Sequence, residues 1–533
     1  MAAKVTTPLA SLDFRKVSRR VLFHLSVATG FSFVFRAVPA EGFSADKPAE
    51  GETGPFRGMK RLGWLRPVKS KDIKASPLSV GFEVLDRRGF DPARTYPYLA
   101  DLGVKWARCQ TGWCRCETEP GKYDFGWLDE VVDSLRQIGI QPWFCLSYGN
   151  RLYIPQADET AVGWAPVYSE QAQTAWVRFT RAIAEHFRDR VFHWEIWNEP
   201  NISQFWKPEK PNPADYVRLV SITAPEIRQR IPNAVIIGGA FAGMPADYLR
   251  QCLSAGMGQW IDRISFHPYR PVPEANYATE LATFRKLLAE FDPRLRLWQG
   301  ENGCPSVGGP ESAGALANLE WDELRQAKWL LRRILIDLHF ELELTSYFHT
   351  VDLVGYRGKT NFKGLLRGTD YSPKPAYFAY RNLCCLFDSQ TKRVREGELL
   401  LGPAGHAGET GHSPGPLSPS GTTAEWEVLK EAITTVFERE GRCLAGFWYP
   451  ANLQKGWTPR RVTATLKVSP RIRLECPVII DPLEGQVFEP AHTERTAEGF
   501  VLRNLPLLDY PILITDRDVL GELSSEKPQP SER

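Results

Sequence analysis

Between residues 78 and 388 the chain alternates two hydrophobic rhythms. Short apolar runs bounded by polar or turn residues read as buried parallel strands: Leu78–Val84, Val104–Cys109, Gln141–Leu146, His193–Trp197, Val235–Gly239, Ile261–Phe266, Leu295–Trp298 and Leu344–Phe348. Between them, apolar residues recur at three- and four-residue steps. Leu128, Val131, Val132, Leu135 and Ile138 form one such stripe, and Trp176, Phe179, Ile183 and Phe187 another. Each predicts an amphipathic helix with one face on the sheet. The helix before the fourth strand is expected to end near His186–Arg190, and the next to open at Pro213 with Asn212 as its N-cap. Eight strands alternating with helices predict a (β/α)8 TIM barrel over residues 78–388.

After Phe387 the helical rhythm stops. Alternating segments at Thr434–Phe437, Cys443–Tyr449, Arg461–Val468, Val478–Ile480 and Pro511–Thr515 predict a C-terminal β-sandwich over residues 389–516. Residues 402–424 are dense in Gly, Pro, Ser and Thr and read as a flexible loop. Residues 517–533 read as a disordered tail, and residues 41–77 as a linker and N-terminal segment.

The first 40 residues carry a different signal. Lys4, Arg15, Lys16, Arg19 and Arg20 precede an apolar run from Val21 to Phe35, and Val38-Pro39-Ala40 offers small residues for cleavage. Ser18-Arg19-Arg20-Val21-Leu22-Phe23 resembles a twin-arginine export signal. The expected destination is periplasmic or extracellular, with the membrane touched only through this signal. The competing reading is a retained membrane anchor.

Composition narrows the partners. The 66 basic and 63 acidic side chains leave a net charge of only +3, which argues against electrostatic capture of nucleic acid. Seventeen Trp suit the apolar faces of sugar rings, although core packing accounts for most aromatics. Ten cysteines include Cys109, Cys114 and Cys116 close together and the adjacent Cys384-Cys385, but no paired spacing of a zinc site. Buried free thiols are the expectation.

Candidate chemistry sits where barrel strands end, because there the loops leave a concave site above a packed core. The fourth strand runs into Trp197-Asn198-Glu199-Pro200-Asn201, and Pro200 stops the ladder so that Glu199 is placed at the mouth. The seventh runs into Trp298-Gln299-Gly300-Glu301-Asn302-Gly303, again a carboxylate at a strand end. Two glutamates delivered from different sides of a barrel mouth fit glycoside hydrolysis, with one proton donor and one carboxylate facing an oxocarbenium-like carbon. No cofactor and no metal are expected, since only His267 among nine histidines stands at a convincing strand end.

Those two segments, with Phe205-Trp206-Lys207 after the first, resemble clan A glycoside hydrolases, most closely family 39, the β-xylosidases and α-L-iduronidases. The resemblance covers roughly residues 78–388 and implies a retaining enzyme with Glu199 as acid/base and Glu301 as nucleophile. It implies Arg108 beside the nucleophile, Asn198 on the sugar 2-OH, and His267 and Tyr269 as a polar aromatic pair in the site. The chain departs from the clan in lacking Trp at the end of the eighth strand, where Tyr347 or Phe348 is the candidate sugar platform. Trp206 is a candidate stacking residue, and the expected partner is an oligosaccharide or other glycoside. Two competing functions are a carbohydrate-binding barrel without turnover and a metal-dependent hydrolase using Glu199, His267 and Glu301.

Overall fold

The structure, a computed structural model, describes residues 54–530 apart from 396, 405–422, 470 and 498. Residues 1–40, read as an export signal, and most of the 402–424 loop therefore lie outside the described residues. Strand β1 (Lys60–Trp64) comes first. Eight parallel strands then close a barrel in chain order: β2 (Leu78–Gly81), β3 (Trp106–Gln110), β4 (Gln141–Leu146), β5 (His193–Ile196), β6 (Val235–Ala242), β7 (Arg263–His267), β8 (Arg296–Asn302) and β9 (Leu344–Tyr347). β9 returns to pair with β2, so no edge is left open.

The helices pack as their periodicity predicts. Leu128, Val131, Val132 and Leu135 are buried from the helix Gly126–Gln137, and Trp176, Phe179, Ile183 and Phe187 from Glu170–Phe187. Asn212 caps the helix Pro213–Arg230, its side chain accepting a hydrogen bond from the Ala214 N–H. Inside the barrel, Trp143, Ile237, Trp298 and Leu344 form a plug of their own below the mouth. Trp143 and Trp298 meet edge to face at 5.3 Å. These tryptophans are thus barrel filling and not sugar subsites.

Past the barrel lie two antiparallel sheets. The four-stranded one orders Glu398–Pro403, Arg460–Lys467, Gly499–Leu507 and His492–Arg495. The seven-stranded one orders β1, Gln486–Glu489, Pro477–Asp481, Ile512–Asp516, Arg442–Trp448, Ile433–Arg439 and Thr391–Arg393. Three boundaries differ from the sequence reading. Part of the supposed 41–77 linker is β1, which pairs with Gln486–Glu489 and gives the sheet one edge. The supposed tail is anchored: Trp64 and Ser524 exchange backbone hydrogen bonds of 3.0 and 2.9 Å, and Arg381 donates to the Pro528 carbonyl. Within 402–424, residues 402–403 end a strand and Thr423–Glu431 is a helix. For β1, the tail and residues 402–403 the cause is the same: pairing with a strand distant in sequence satisfies backbone that looks unstructured when its own composition is all one reads.

Candidate active site

The mouth of the barrel encloses a cavity of about 540 Å³ lined by Asn198, Glu199, His267, Tyr269 and Glu301 among others. Glu199 follows β5 on a turn of unusual backbone. Trp197 and Glu199 have φ of 74° and 49°, left-handed values that non-glycine residues avoid and that recur at functional sites. The Glu199 N–H is tied to the Ala240 carbonyl at 2.8 Å, so β6 fixes the turn. Glu301 lies in β8 where its ladder to β9 shifts register between Gln299 and Asn302, re-aiming the strand. Gly300 is required beside it, since a Cβ there would come within 2.1 Å of Ser265 Oγ.

The two carboxyl groups meet different surroundings. An oxygen of Glu199, an oxygen of Glu301 and a ring nitrogen of His267 all lie within 4.8 Å of one another. Burial pushes the Glu199 carboxyl up to about 7, with Arg108 and Arg357 only partly offsetting it. Its hydrogen-bond partner is His267 Nδ1, 3.0 Å from Oε1. Burial holds His267 down to about 4, so the imidazole is neutral at pH 7, and its Nε2 has no partner. Glu301, by contrast, accepts from Arg108 Nη1 at 2.8 Å and from the Tyr269 hydroxyl at 2.8 Å. Glu301 is thus held by two donors, a guanidinium and a phenol, where Glu199 has only the imidazole.

Arg108 is fully buried and organises the floor. Besides Glu301 it donates to Glu195 Oε2 at 2.9 Å, Glu83 Oε1 at 3.1 Å and Asn198 Oδ1 at 2.9 Å. Because the guanidinium holds the Asn198 oxygen, the amide nitrogen is left to donate toward the cavity. The guanidinium sits 5.6 Å above the Trp143 ring, so the tryptophan plug underlies Arg108.

Two expected contacts are corrected. Trp206 is fully buried, its indole N–H donating to Tyr168 at 2.7 Å and its ring edge-on to Trp197 at 5.8 Å. Its neighbour Phe205 lines the cavity instead, stacked on Tyr148 at 5.8 Å. Tyr347 is likewise buried, with its hydroxyl donating to the Cys304 carbonyl, and Phe348 lines the cavity. At each place one aromatic takes the cavity side while its chain neighbour packs inward.

Sequence reasoning missed Glu83, a third carboxyl in the cavity. The first strand was expected to continue through Val84, which made Glu83 a strand residue. In the structure β2 ends at Gly81 and Val84 turns with φ of 70°. Burial pushes Glu83 up to about 8, against Arg108 and with Glu301, and its Oε2 has no hydrogen-bond partner. An acidic residue at the C-terminal end of an otherwise apolar barrel strand was the available signal. Lys363, also on the cavity, was missed because it follows the hairpin Leu353–Tyr356/Lys359–Asn361 and belongs to no barrel strand.

A parallel barrel whose mouth brings together a desolvated glutamate and an arginine-bound glutamate, from the ends of its fourth and seventh strands, is the arrangement of clan A glycoside hydrolases. Residues 84–290 match the model of glycosyl hydrolases family 39. A β-xylosidase of Geobacillus stearothermophilus is 29% identical over 163 residues, 28% of this chain and 31% of that protein's length. A family 39 β-xylosidase structure from Caulobacter crescentus aligns over 86% of this chain and 98% of its own, with TM-score 0.52 and 17% identity. A family 39 enzyme from Xanthomonas axonopodis pv. citri aligns over 85% and 95%, with TM-score 0.53 and 17% identity. The fold is shared with both.

Proposed function

We propose that this chain is a retaining glycosidase acting by double displacement, with Glu199 as acid/base and Glu301 as nucleophile. The observation that carries this reading is the contrast between two carboxyl groups with oxygens within 4.8 Å of each other. That proximity suits the roughly 5–5.5 Å carboxyl separation of retaining enzymes better than the roughly 6.5–9.5 Å of inverting ones. In the first step Glu301 attacks the anomeric carbon while Glu199, kept protonated by burial, gives its proton to the leaving oxygen. In the second, Glu199 takes a proton from water as that water displaces Glu301. Asn198 and Tyr269 are positioned to hold the sugar and the nucleophile.

A β-xyloside is the first glycone to try, because the Geobacillus relative is a β-xylosidase. Incubating the protein with a panel of 4-nitrophenyl glycosides should release nitrophenol from at least one. Proton NMR of the first turnovers should show the anomer that the substrate had. An inverted first product contradicts the mechanism. Glu199, His267 and Glu301 are also spaced to hold a cation. Arg108 on Glu301 opposes that second reading by its charge, and a chelator that abolishes turnover would favour it.

Export of the chain with loss of residues 1–40 is proposed on the twin arginines and the short apolar run. Intact-mass measurement should find a terminus near Glu41, and Met1 on envelope-recovered protein would contradict it.

A further inference from the structure

A second cavity of about 570 Å³ opens beside the first and shares Val84, Arg87, Gln204, Phe205, Tyr356 and Arg357 with it. Its position relative to the two glutamates gives it a direction. Gln204, Phe205 and Lys207, from the loop that follows Glu199, line it, whereas no residue of the loop that follows Glu301 does; both glutamates line the first cavity only. On the proposed assignment, the second cavity therefore lies on the acid/base side, where the leaving group departs.

Its walls are cationic. Arg88, Lys207 and Arg357 join Arg87 there, and the sole carboxylate among the lining residues is Asp158. Asp158 is turned into its own loop, accepting from the Thr160 N–H and hydroxyl at 2.9 and 2.7 Å and from the Ala161 N–H at 2.9 Å. Arg87 is committed to Asp86 and Gln110. Arg88 and Arg357 enter no ion pair among the described residues, and Lys207 donates only to the neutral Val162 carbonyl at 3.0 Å. Phe205, at the junction, offers an apolar ring with the Arg357 guanidinium 5.7 Å from its centre. An aromatic face at the junction, with an excess of cations over the one carboxylate beyond it, fits a sugar or aryl ring carrying an anion.

We propose that the second cavity is the leaving-group site of this enzyme and that it selects a leaving group bearing a carboxylate or sulfate, held by Arg88, Lys207 and Arg357. This rests on the glycosidase reading above. The shared chemistry is an anionic oxygen cluster; carboxylate and sulfate sources are separated by the probes.

The test compares 3-carboxyphenyl, 3-sulfophenyl and neutral 3-carbamoylphenyl glycosides of the glycone that the nitrophenyl panel selects, using the full chain. At low ionic strength the anionic substrates should show kcat/KM about 5- to 10-fold above the carbamoyl one, mainly through KM, the size of one or two partly exposed charge pairs. Half-molar salt should erase most of the difference. Arg88→Ala and Lys207→Ala line only the second cavity, and each should reduce the anionic-to-neutral ratio toward one. Preference for the carboxylate alone, or the sulfonate alone, identifies the anion. Equal rates on anionic and neutral substrates by the unaltered enzyme overturn the proposal while leaving the glycosidase intact. Preference unchanged in both variants overturns the assignment to this cavity. Turnover of no glycoside in the panel overturns the activity and this proposal together.

Discussion

On the proposed mechanism Glu199 has to be an acid in the first step and a base in the second, and its burial makes both roles accessible near neutrality. Its carboxyl is pushed up to about 7, so it is protonated below that pH and able to donate. As pH rises through 7 the proton is lost and glycosylation slows. The profile of kcat/KM should therefore have an alkaline limb with a midpoint near 7, and Glu199→Gln should lower the rate and remove that limb. A limb that stays near 7 in Glu199→Gln would assign it to another group.

Glu83 offers a second residue-scale prediction. Held up to about 8, it is protonated at pH 7, and it shares Arg108 Nη1 with Glu301. Glutamine is the neutral isostere of that acid. Glu83→Gln should keep kcat/KM at pH 7 within about threefold, whereas Glu83→Ala leaves a buried donor one acceptor short. The loss should be about 1–3 kcal/mol, read as a lower melting temperature and roughly tenfold slower turnover. Equal damage from both substitutions would mean that the negative charge itself is needed.

Among the elements, the contacts between the barrel and the C-terminal sheets include, beside the Lys328–Asp509 ion pair at 2.9 Å, one more deeply buried pair. Arg332, on the helix Glu323–His339, is fully buried against Glu274 in the loop after β7, with an Nε to Oε1 distance of 2.9 Å. Trp448 of the strand Arg442–Trp448 donates to the same Glu274 oxygen at 2.6 Å, and Arg332 donates to the Ala451 carbonyl at 2.7 Å. Removing one partner strands the other charge away from water. Glu274→Ala should cost about 3–5 kcal/mol, measured as a lower midpoint in urea, and Glu274→Leu with Arg332→Met should recover much of it. If the single variant unfolds like the wild type, the pair does not hold the interface.

For the molecule as a whole, the barrel was legible because a parallel strand buried on both faces is a short apolar run, and eight such runs each contain or overlap an observed strand. The lining of the candidate site was legible where polar residues coincide with a strand end, as at Asn198-Glu199-Pro200 and Gly300-Glu301-Asn302. It failed where the answer turns on which side of the backbone a residue faces. Trp206 was chosen by residue type while packing gave the cavity to Phe205, and of the two aromatics offered after the eighth strand packing gave it to Phe348 and not Tyr347. The seven-stranded sheet was only partly legible, since β1 joins it from more than 400 residues away and pairs Arg61 with Phe488.

The central claim, that Glu199 and Glu301 divide the acid/base and nucleophile roles, is tested most directly by azide with two variants and one NMR spectrum. Glu199→Ala still forms the glycosyl-enzyme on an activated aryl glycoside, and azide attacking that intermediate should restore turnover and give a glycosyl azide of retained configuration. Glu301→Ala cannot form the intermediate, so azide must attack the substrate itself and give the inverted azide. The reverse pattern would swap the two roles, and wild-type rates in both variants would place the chemistry elsewhere.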